Sequence, residues 1–125
     1  MKEVLTIEGG LLAVIDGSKA LKKALEATFG DSVLIQRCQA HKKRNIKEYL
    51  PETSWQWTKQ QLNRAWAKED AGAALRDLKA LATRLENDYP DASASLREEL
   101  DETLTVQKMA ISELLKKSLS TTNLT

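Results

Sequence analysis

The sequence predicts a small α/β unit followed by an all-helical region, so that the chain is mostly helical overall. Two short apolar runs, at residues 11–15 and 33–35, flank a stretch with helical periodicity, which is the pattern of a β-α-β unit. From residue 51 onward the pattern changes to long apolar stripes at helical spacing. With 125 residues, 42% hydrophobic and 30% charged, the chain has the size of one domain or of a small core with an appended part.

The α/β unit begins with a strand at 11–15, because this run is too short and too continuously apolar for anything but a buried strand. Ser18 is a good N-cap for the helix that follows. The run 33–35 is the second strand, and a crossover of this kind makes the two strands parallel. A further helix begins near His41 and must stop by Leu50, because the next residue is a proline, which disfavours helical geometry before it.

Four helices are expected in the all-helical region. Ser54 is expected to cap the first, and Pro90 to end the second, whose apolar stripe is almost unbroken. Asp91 or Ser93 is expected to begin the third, and the fourth precedes a polar tail at 118–125. Two parallel strands are too few for a stable sheet, because such a pair exposes two edges and buries little. We therefore expect further strands from outside this chain or from a partner, which makes a fragment and self-association the working hypotheses.

Charge is segregated along the chain, although the formal net charge is only +1. Residues 37–47 hold five Lys or Arg and no acid, whereas residues 86–102 hold seven acids and one base. Such a division predicts one face for nucleic acid and another for solvent or protein; a solvated helix face explains the basic run equally well. The candidate contacts with DNA phosphates are Lys19, Arg37, Lys42, Lys43, Arg44 and Lys47.

The cellular compartment is predicted from the single cysteine, the short apolar runs and the polar N-terminus. One cysteine excludes an intrachain disulfide, which suits a reducing cytosol. The longest apolar run is far short of the roughly 20 residues that a membrane span needs, and the N-terminus lacks the apolar core of a signal peptide. We therefore expect a cytoplasmic protein with no membrane partner.

Asp16 stands alone at the C-terminal tip of the first strand, where α/β folds place catalytic acids. On the residues alone, a cap or turn role is favoured, because metal-dependent phosphoryl chemistry needs a cluster of carboxylates. Asp31 cannot join it, since it precedes the second strand and so lies at the opposite end of the parallel pair. Cys38 and His41 have zinc-like spacing, but a structural role is favoured because the chain has no other Cys or His.

Three tryptophans fall within twelve residues of the first helix of the all-helical region. Stacking on nucleic-acid bases is one use for such aromatic rings. Packing in the core of a helical bundle is favoured. They are Trp55, Trp57 and Trp66.

Several motifs in a fixed order resemble the Mutator-type transposases of bacterial insertion sequences. The resemblance spans nearly the whole chain from residue 11. It rests on VIDGSKAL at 14–21, QRCQAHK at 36–42, RN at 44–45, YLP at 49–51, ASL at 94–96, EEL at 98–100, ETLT at 102–105 and TTN at 121–123.

The resemblance implies a DDE transposase whose ribonuclease H-like core is interrupted by an all-α insertion. Residues 1–50 would be part of that core, 51–118 the insertion and 119–125 the start of the return into the core. Asp16 would be the second of three carboxylates that hold Mg²⁺ or Mn²⁺, while Cys38 and His41 match a C(2)H signature with a structural or DNA-related role. The partners would be terminal inverted repeats and target DNA, which associates such an enzyme with the bacterial nucleoid.

By the same resemblance, the other two carboxylates lie outside this chain. We therefore expect the parent enzyme to hydrolyse phosphodiester bonds and transfer DNA strands, and this chain alone to be inactive and to hold no metal tightly. The alternative is a non-catalytic helical module for DNA binding or protein assembly. A truncated gene product without a function of its own is a third hypothesis.

Overall fold

The computed structural model describes residues 3–7 and 10–109. Its strands are β1 (Glu3–Ile7), β2 (Gly10–Ile15) and β3 (Val33–Arg37), which form one sheet in the order β1-β2-β3. Strands β2 and β3 are parallel, with Ile15 opposite Arg37 at their C-terminal ends. The predicted β-α-β unit is therefore confirmed, and a mostly helical chain with a small sheet is what the structure shows.

Helix α1 (Lys19–Phe29) connects the two parallel strands and packs on one face of the sheet. Ser18 caps it as predicted, because its hydroxyl accepts a hydrogen bond from the Leu21 amide at 3.2 Å. The helix ends at Gly30, whose backbone has a φ of 57°. The core of this unit consists of alternate strand residues and one helix residue: Ala13, Ile15, Leu25, Val33 and Ile35.

The expectation of only two strands in the chain was wrong. β1 pairs antiparallel with β2, from Glu3 opposite Val14 to Ile7 opposite Gly10. The β-branched residues Thr6 and Ile7 precede Gly9-Gly10 with one residue, Glu8, between them, and such a pattern is a hairpin signal that the sequence contained. β2 is therefore paired on both sides, and β1 and β3 form the edges of the sheet. Three strands do not specify a ribonuclease H-like core, which stays a prediction.

The helical part contains α2 (Gln39–Lys47), α3 (Glu52–Trp66), α4 (Ala71–Glu86) and α5 (Pro90–Arg97), followed by the 3₁₀ segment Leu100–Leu104. Their packed apolar residues form a second core. It includes Ile46, Trp55, Leu62, Trp66, Leu78, Leu85, Leu96 and Leu104. Trp55 and Trp66 are therefore core residues, as favoured, whereas Trp57 is half-buried with the Arg84 guanidinium 4.6 Å from its ring centroid.

Two helix boundaries differ from the prediction. Pro51, not Ser54, is the N-cap of α3, and its carbonyl accepts a hydrogen bond from the Trp55 amide at 2.9 Å. Pro90 was expected to end α4, but α4 ends at Glu86 and Pro90 lies in the first turn of α5. Proline suits that position, since its φ is already helical and the amide it lacks would have had no partner in the helix. Asp91 therefore lies within α5 rather than before it.

Ile46 of α2 packs in the helical core, so the α/β unit and the helical part are continuous at this helix. The division into 1–50, 51–118 and 119–125 stays a prediction. The expected last helix and the TTN motif lie outside the described residues. Among those that are described, no helix is both long enough and apolar enough to cross a membrane.

Thr103 joins the helical part to the sheet. Its backbone carbonyl accepts hydrogen bonds from the side-chain amides of Gln36 and Gln39, at 2.9 and 2.7 Å. Its hydroxyl accepts one from the Trp66 indole at 3.1 Å and donates one to the Leu100 carbonyl at 2.7 Å. The residue is completely buried. Every polar atom of its side chain therefore has a partner, as burial demands.

Two further hydrogen bonds fasten the following residues to edge strand β3. The Thr105 hydroxyl donates to the Ile35 carbonyl at 2.6 Å, and the Val106 amide donates to the Gln36 side-chain oxygen at 2.9 Å. An edge strand exposes unpaired backbone groups. The segment that leaves the helical part thus occupies part of this edge.

We predict that Thr103→Val destabilises the 125-residue chain by about 1–3 kcal/mol, because it leaves the buried Trp66 indole N–H without an acceptor. Urea unfolding followed by far-UV circular dichroism measures this as a lower midpoint with an unchanged slope. The matched control is Thr28→Val, since the Thr28 hydroxyl bonds a helix carbonyl at an exposed position. That control should change stability by less than about 0.5 kcal/mol. Equal effects of the two substitutions would contradict the role of Thr103.

Candidate functional site

Asp16 follows β2 directly, and Cys38 follows β3, so both lie at the C-terminal edge of the parallel pair. The Cys38 amide donates a hydrogen bond to the Ile15 carbonyl at 2.7 Å, which brings the two strand ends together. The Asp16 side chain is 40% exposed. The structure therefore leaves this carboxylate accessible at the sheet edge.

His41 lies in the first turn of α2 and reaches back toward Asp16. Its Nε2 is 4.0 Å from the Asp16 Oδ2, which permits an ionic contact but exceeds a hydrogen bond. Its Nδ1 is buried and has no hydrogen-bond partner within the described residues. Cys38 is a free, partly buried thiol at the N-cap of the same helix. Across residues 3–7 and 10–109, no three His, Cys, Asp or Glu side chains are grouped to hold a metal ion.

Arg37 ends β3 and supports the residue after Asp16. Its buried guanidinium donates to the Gly17 carbonyl at 3.2 Å. Gly17 has a φ of 102°, and a Cβ added there would lie 2.6 Å from the Arg37 Nη2. Glycine is needed here, because both the backbone conformation and the close approach of the guanidinium disfavour a side chain.

The same guanidinium contacts the end of α5. It donates to the backbone carbonyl of Glu98 at 3.3 Å and to the Glu98 carboxylate at 3.2 Å. Lys42 is also buried, and its ammonium donates to the same Glu98 carbonyl. Burial, followed by the nearby charge of Arg37, lowers the pKa of Lys42 to about 8. Both cations thus lie where a helix C-terminus carries partial negative charge.

A third cation extends this contact between the α/β unit and the acidic run. Lys22 of α1 pairs with Glu102 and, at 3.4 Å, with Glu99. The hydrogen bond with Glu102 is the main cause that raises the pKa of Lys22. The basic and acidic segments were predicted to face different partners. In the structure, part of each segment contacts the other.

The six candidate DNA contacts therefore fall into three groups. Arg37 and Lys42 are buried against Glu98, so neither is exposed for contact with a DNA phosphate. Lys43 is half-buried and donates to the Asn63 side chain at 3.0 Å. The remaining three are exposed: Lys19 at the start of α1, and Arg44 and Lys47 in the last turn of α2.

Glu98 and Gly17 are site residues that the sequence analysis did not select. Gly17 was visible as the residue after Asp16, but its contact with Arg37 depends on the pairing of β2 and β3. Glu98 lies 61 residues from Arg37. The sequence feature that pointed to Glu98 was the basic run 37–47 together with the acidic run 86–102. These runs predict complementary surfaces, but not that the two surfaces contact each other.

Comparison with known proteins gives one match. The family model described as "Transposase, Mutator family" matches residues 5–125. Neither a curated protein nor a solved structure gives a match.

We predict that Lys42 makes the folded chain more stable as the pH rises from about 8 toward 10.5, the ordinary lysine pKa. In this window the unfolded chain binds more protons than the folded chain, so deprotonation favours folding, by an amount on the order of 3 kcal/mol. Lys22 has the opposite shift, and its contribution is lost only above 10.5.

Urea unfolding of the wild-type chain at several pH values from about 7 to about 10 measures this rise. Lys42→Met should abolish it, whereas the exposed α1 control Lys23→Met should retain it. A rise of the same size in Lys42→Met would show that another group is responsible.

Proposed function

The chain belongs to the Mutator family of transposases, and we propose that Asp16 is one of the metal-binding carboxylates of a DDE-type active site in such an enzyme. The observation that carries the proposal is the position of Asp16. It is an accessible carboxylate at the C-terminal edge of a parallel strand pair. The enzyme would cut DNA at the ends of an insertion sequence and join the freed strand to target DNA.

The chemistry of Asp16 suits Mg²⁺ or Mn²⁺, since hard cations prefer oxygen ligands. Bound divalent metal would stabilise charge on the attacking and leaving oxygens of the phosphodiester. Asp16 fits as one such ligand, but the described residues do not group two more with it. We propose that further carboxylates complete the site and that, as the resemblance to DDE transposases implies, the 125-residue chain alone cuts no DNA.

We predict that Asp16→Asn in the complete transposase lowers cleavage of a duplex with a terminal inverted repeat by about 100-fold or more, because metal ligation is worth several kcal/mol. Cleavage is measured from labelled DNA at several Mg²⁺ and Mn²⁺ concentrations. The control is Asp31→Asn, since Asp31 is an exposed aspartate before β3, at the other end of the parallel pair.

Nearly equal activities of Asp16→Asn and Asp31→Asn would contradict the proposal. That result would favour the alternative, in which the helical part is a non-catalytic module for DNA binding or for assembly, including self-association. Any metal-dependent nicking by the 125-residue chain would contradict its proposed inactivity, and nicking that Asp16→Asn leaves intact would also contradict the role of Asp16.

We also propose that Lys19 contacts a DNA phosphate. It is exposed, and it opens α1 three residues after Asp16, at the same edge of the sheet. Arg44 and Lys47 are exposed too, but cations in the last turn of a helix also stabilise its C-terminus. Lys19 lies in a first turn, where the helix offers a cation no such benefit. Its position therefore supports a role in DNA binding more strongly.

We predict that Lys19→Ala weakens binding of the chain to duplex DNA and lowers the slope of log affinity against log salt concentration by about 1. Fluorescence anisotropy titrations at several salt concentrations measure the slope. Lys79→Ala is the control, because Lys79 is exposed on α4 of the helical part. If both variants keep the wild-type slope, Lys19 does not contact a phosphate.

A further inference from the structure

The end of α5 is the point at which the helical part contacts the edge that carries Asp16. α5 ends at Arg97, Glu98 is its C-cap, and Glu99 turns the chain away with a φ of 52°. A left-handed residue after a helix usually is glycine. Here a glutamate adopts this conformation, and its side chain lies 3.4 Å from the Lys22 ammonium. Tertiary contacts with the α/β unit therefore support the turn that follows Glu98.

Two chains of contact run from Glu98 to the surroundings of Asp16. In the first, the Glu98 carboxylate and carbonyl accept from the Arg37 guanidinium, which also donates to the Gly17 carbonyl. Gly17 is bonded directly to Asp16. In the second, the Glu98 carbonyl accepts from Lys42, the residue next to His41.

Burial of the Arg37 guanidinium strengthens these contacts. The Arg37 side chain is only 8% exposed, so its guanidinium depends on protein acceptors rather than on water. The planar guanidinium joins its acceptors in a fixed geometry, which transmits a displacement of Glu98 to Gly17. The Glu98 side chain is 51% exposed, so it can be altered without opening the core.

We propose that Glu98 is a positioning residue for Asp16: through Arg37 and Gly17 it fixes the direction in which the Asp16 carboxylate leaves the sheet. The helical part thereby controls the geometry of a carboxylate that belongs to the α/β unit. The metal-binding role of that carboxylate rests on the function proposed above, but the positioning itself does not.

The test compares ¹⁵N-labelled chains by NMR without metal. Glu98→Ala should shift the amide resonances of Asp16 and Gly17 well beyond their variation in the control Glu86→Ala. The control is closely matched, because Glu86 also pairs with an arginine, Arg97, and its side chain is 54% exposed. Glu98→Gln keeps an acceptor oxygen and should restore resonances close to the wild type. Arg37→Lys keeps the charge but loses the planar fork, and should shift Gly17 further than Glu98→Ala does.

Asp16 and Gly17 resonances that stay at their wild-type positions in Glu98→Ala would overturn the proposal, whatever Arg37→Lys shows, because Arg37 also contacts Gly17 directly. In the complete transposase, Glu98→Ala should lower DNA cleavage by about 10- to 100-fold with unchanged DNA affinity, as expected for a displaced reacting group. The two proposals can fail separately. Resonance shifts without loss of cleavage in Asp16→Asn would leave the positioning intact and reject the metal-binding role.

Discussion

The arrangement of this molecule depends on two buried cations, Arg37 and Lys42, and on Glu98, which accepts hydrogen bonds from both. The two cations are withdrawn from water at the end of β3 and the start of α2. A buried charge that loses its partner costs about 3–5 kcal/mol. The end of α5 must therefore lie against the edge of the sheet, and the path of the chain through α3 and α4 has to bring it there.

The residues that follow Glu98 lie against β3 and bond to it. Thr103 accepts from Gln36 and Gln39, and Thr105 donates to the Ile35 carbonyl. These bonds satisfy groups at a sheet edge that would otherwise be open to water or to another strand. Glu98, Glu99 and Glu102 pair with cations of the α/β unit and so hold the residues around Thr103 and Thr105 against the sheet. The sheet has only three strands and is small by itself.

Local patterns in the sequence predicted the parallel strands, the Ser18 cap and the position of Asp16, because each depends on a few neighbouring residues. β1 was missed although Gly9-Gly10 precedes the apolar run, because Glu3–Ile7 mixes charged and apolar residues and becomes a strand only by pairing with β2. The links from Glu98 to Arg37 and Lys42 could not be read from periodicity, since they join residues 61 and 56 positions apart. Burial of Lys42 was equally hidden, because a lysine in a basic run gives no local sign of facing the protein interior.

The pairing of Arg37 with Glu98 also affects the carboxylate that the active site would use. Without Glu98, Asp16 is a candidate acceptor for the Arg37 guanidinium, because it directly precedes Gly17, whose carbonyl Arg37 already contacts. An Arg37–Asp16 ion pair would compete with a divalent metal for the same oxygens, because both favour the ionised carboxylate. Glu98 supplies the acceptor instead, and the Asp16 side chain stays 40% exposed. In the proposed site, the Arg37–Glu98 ion pair would therefore leave the Asp16 carboxylate available to a metal ion.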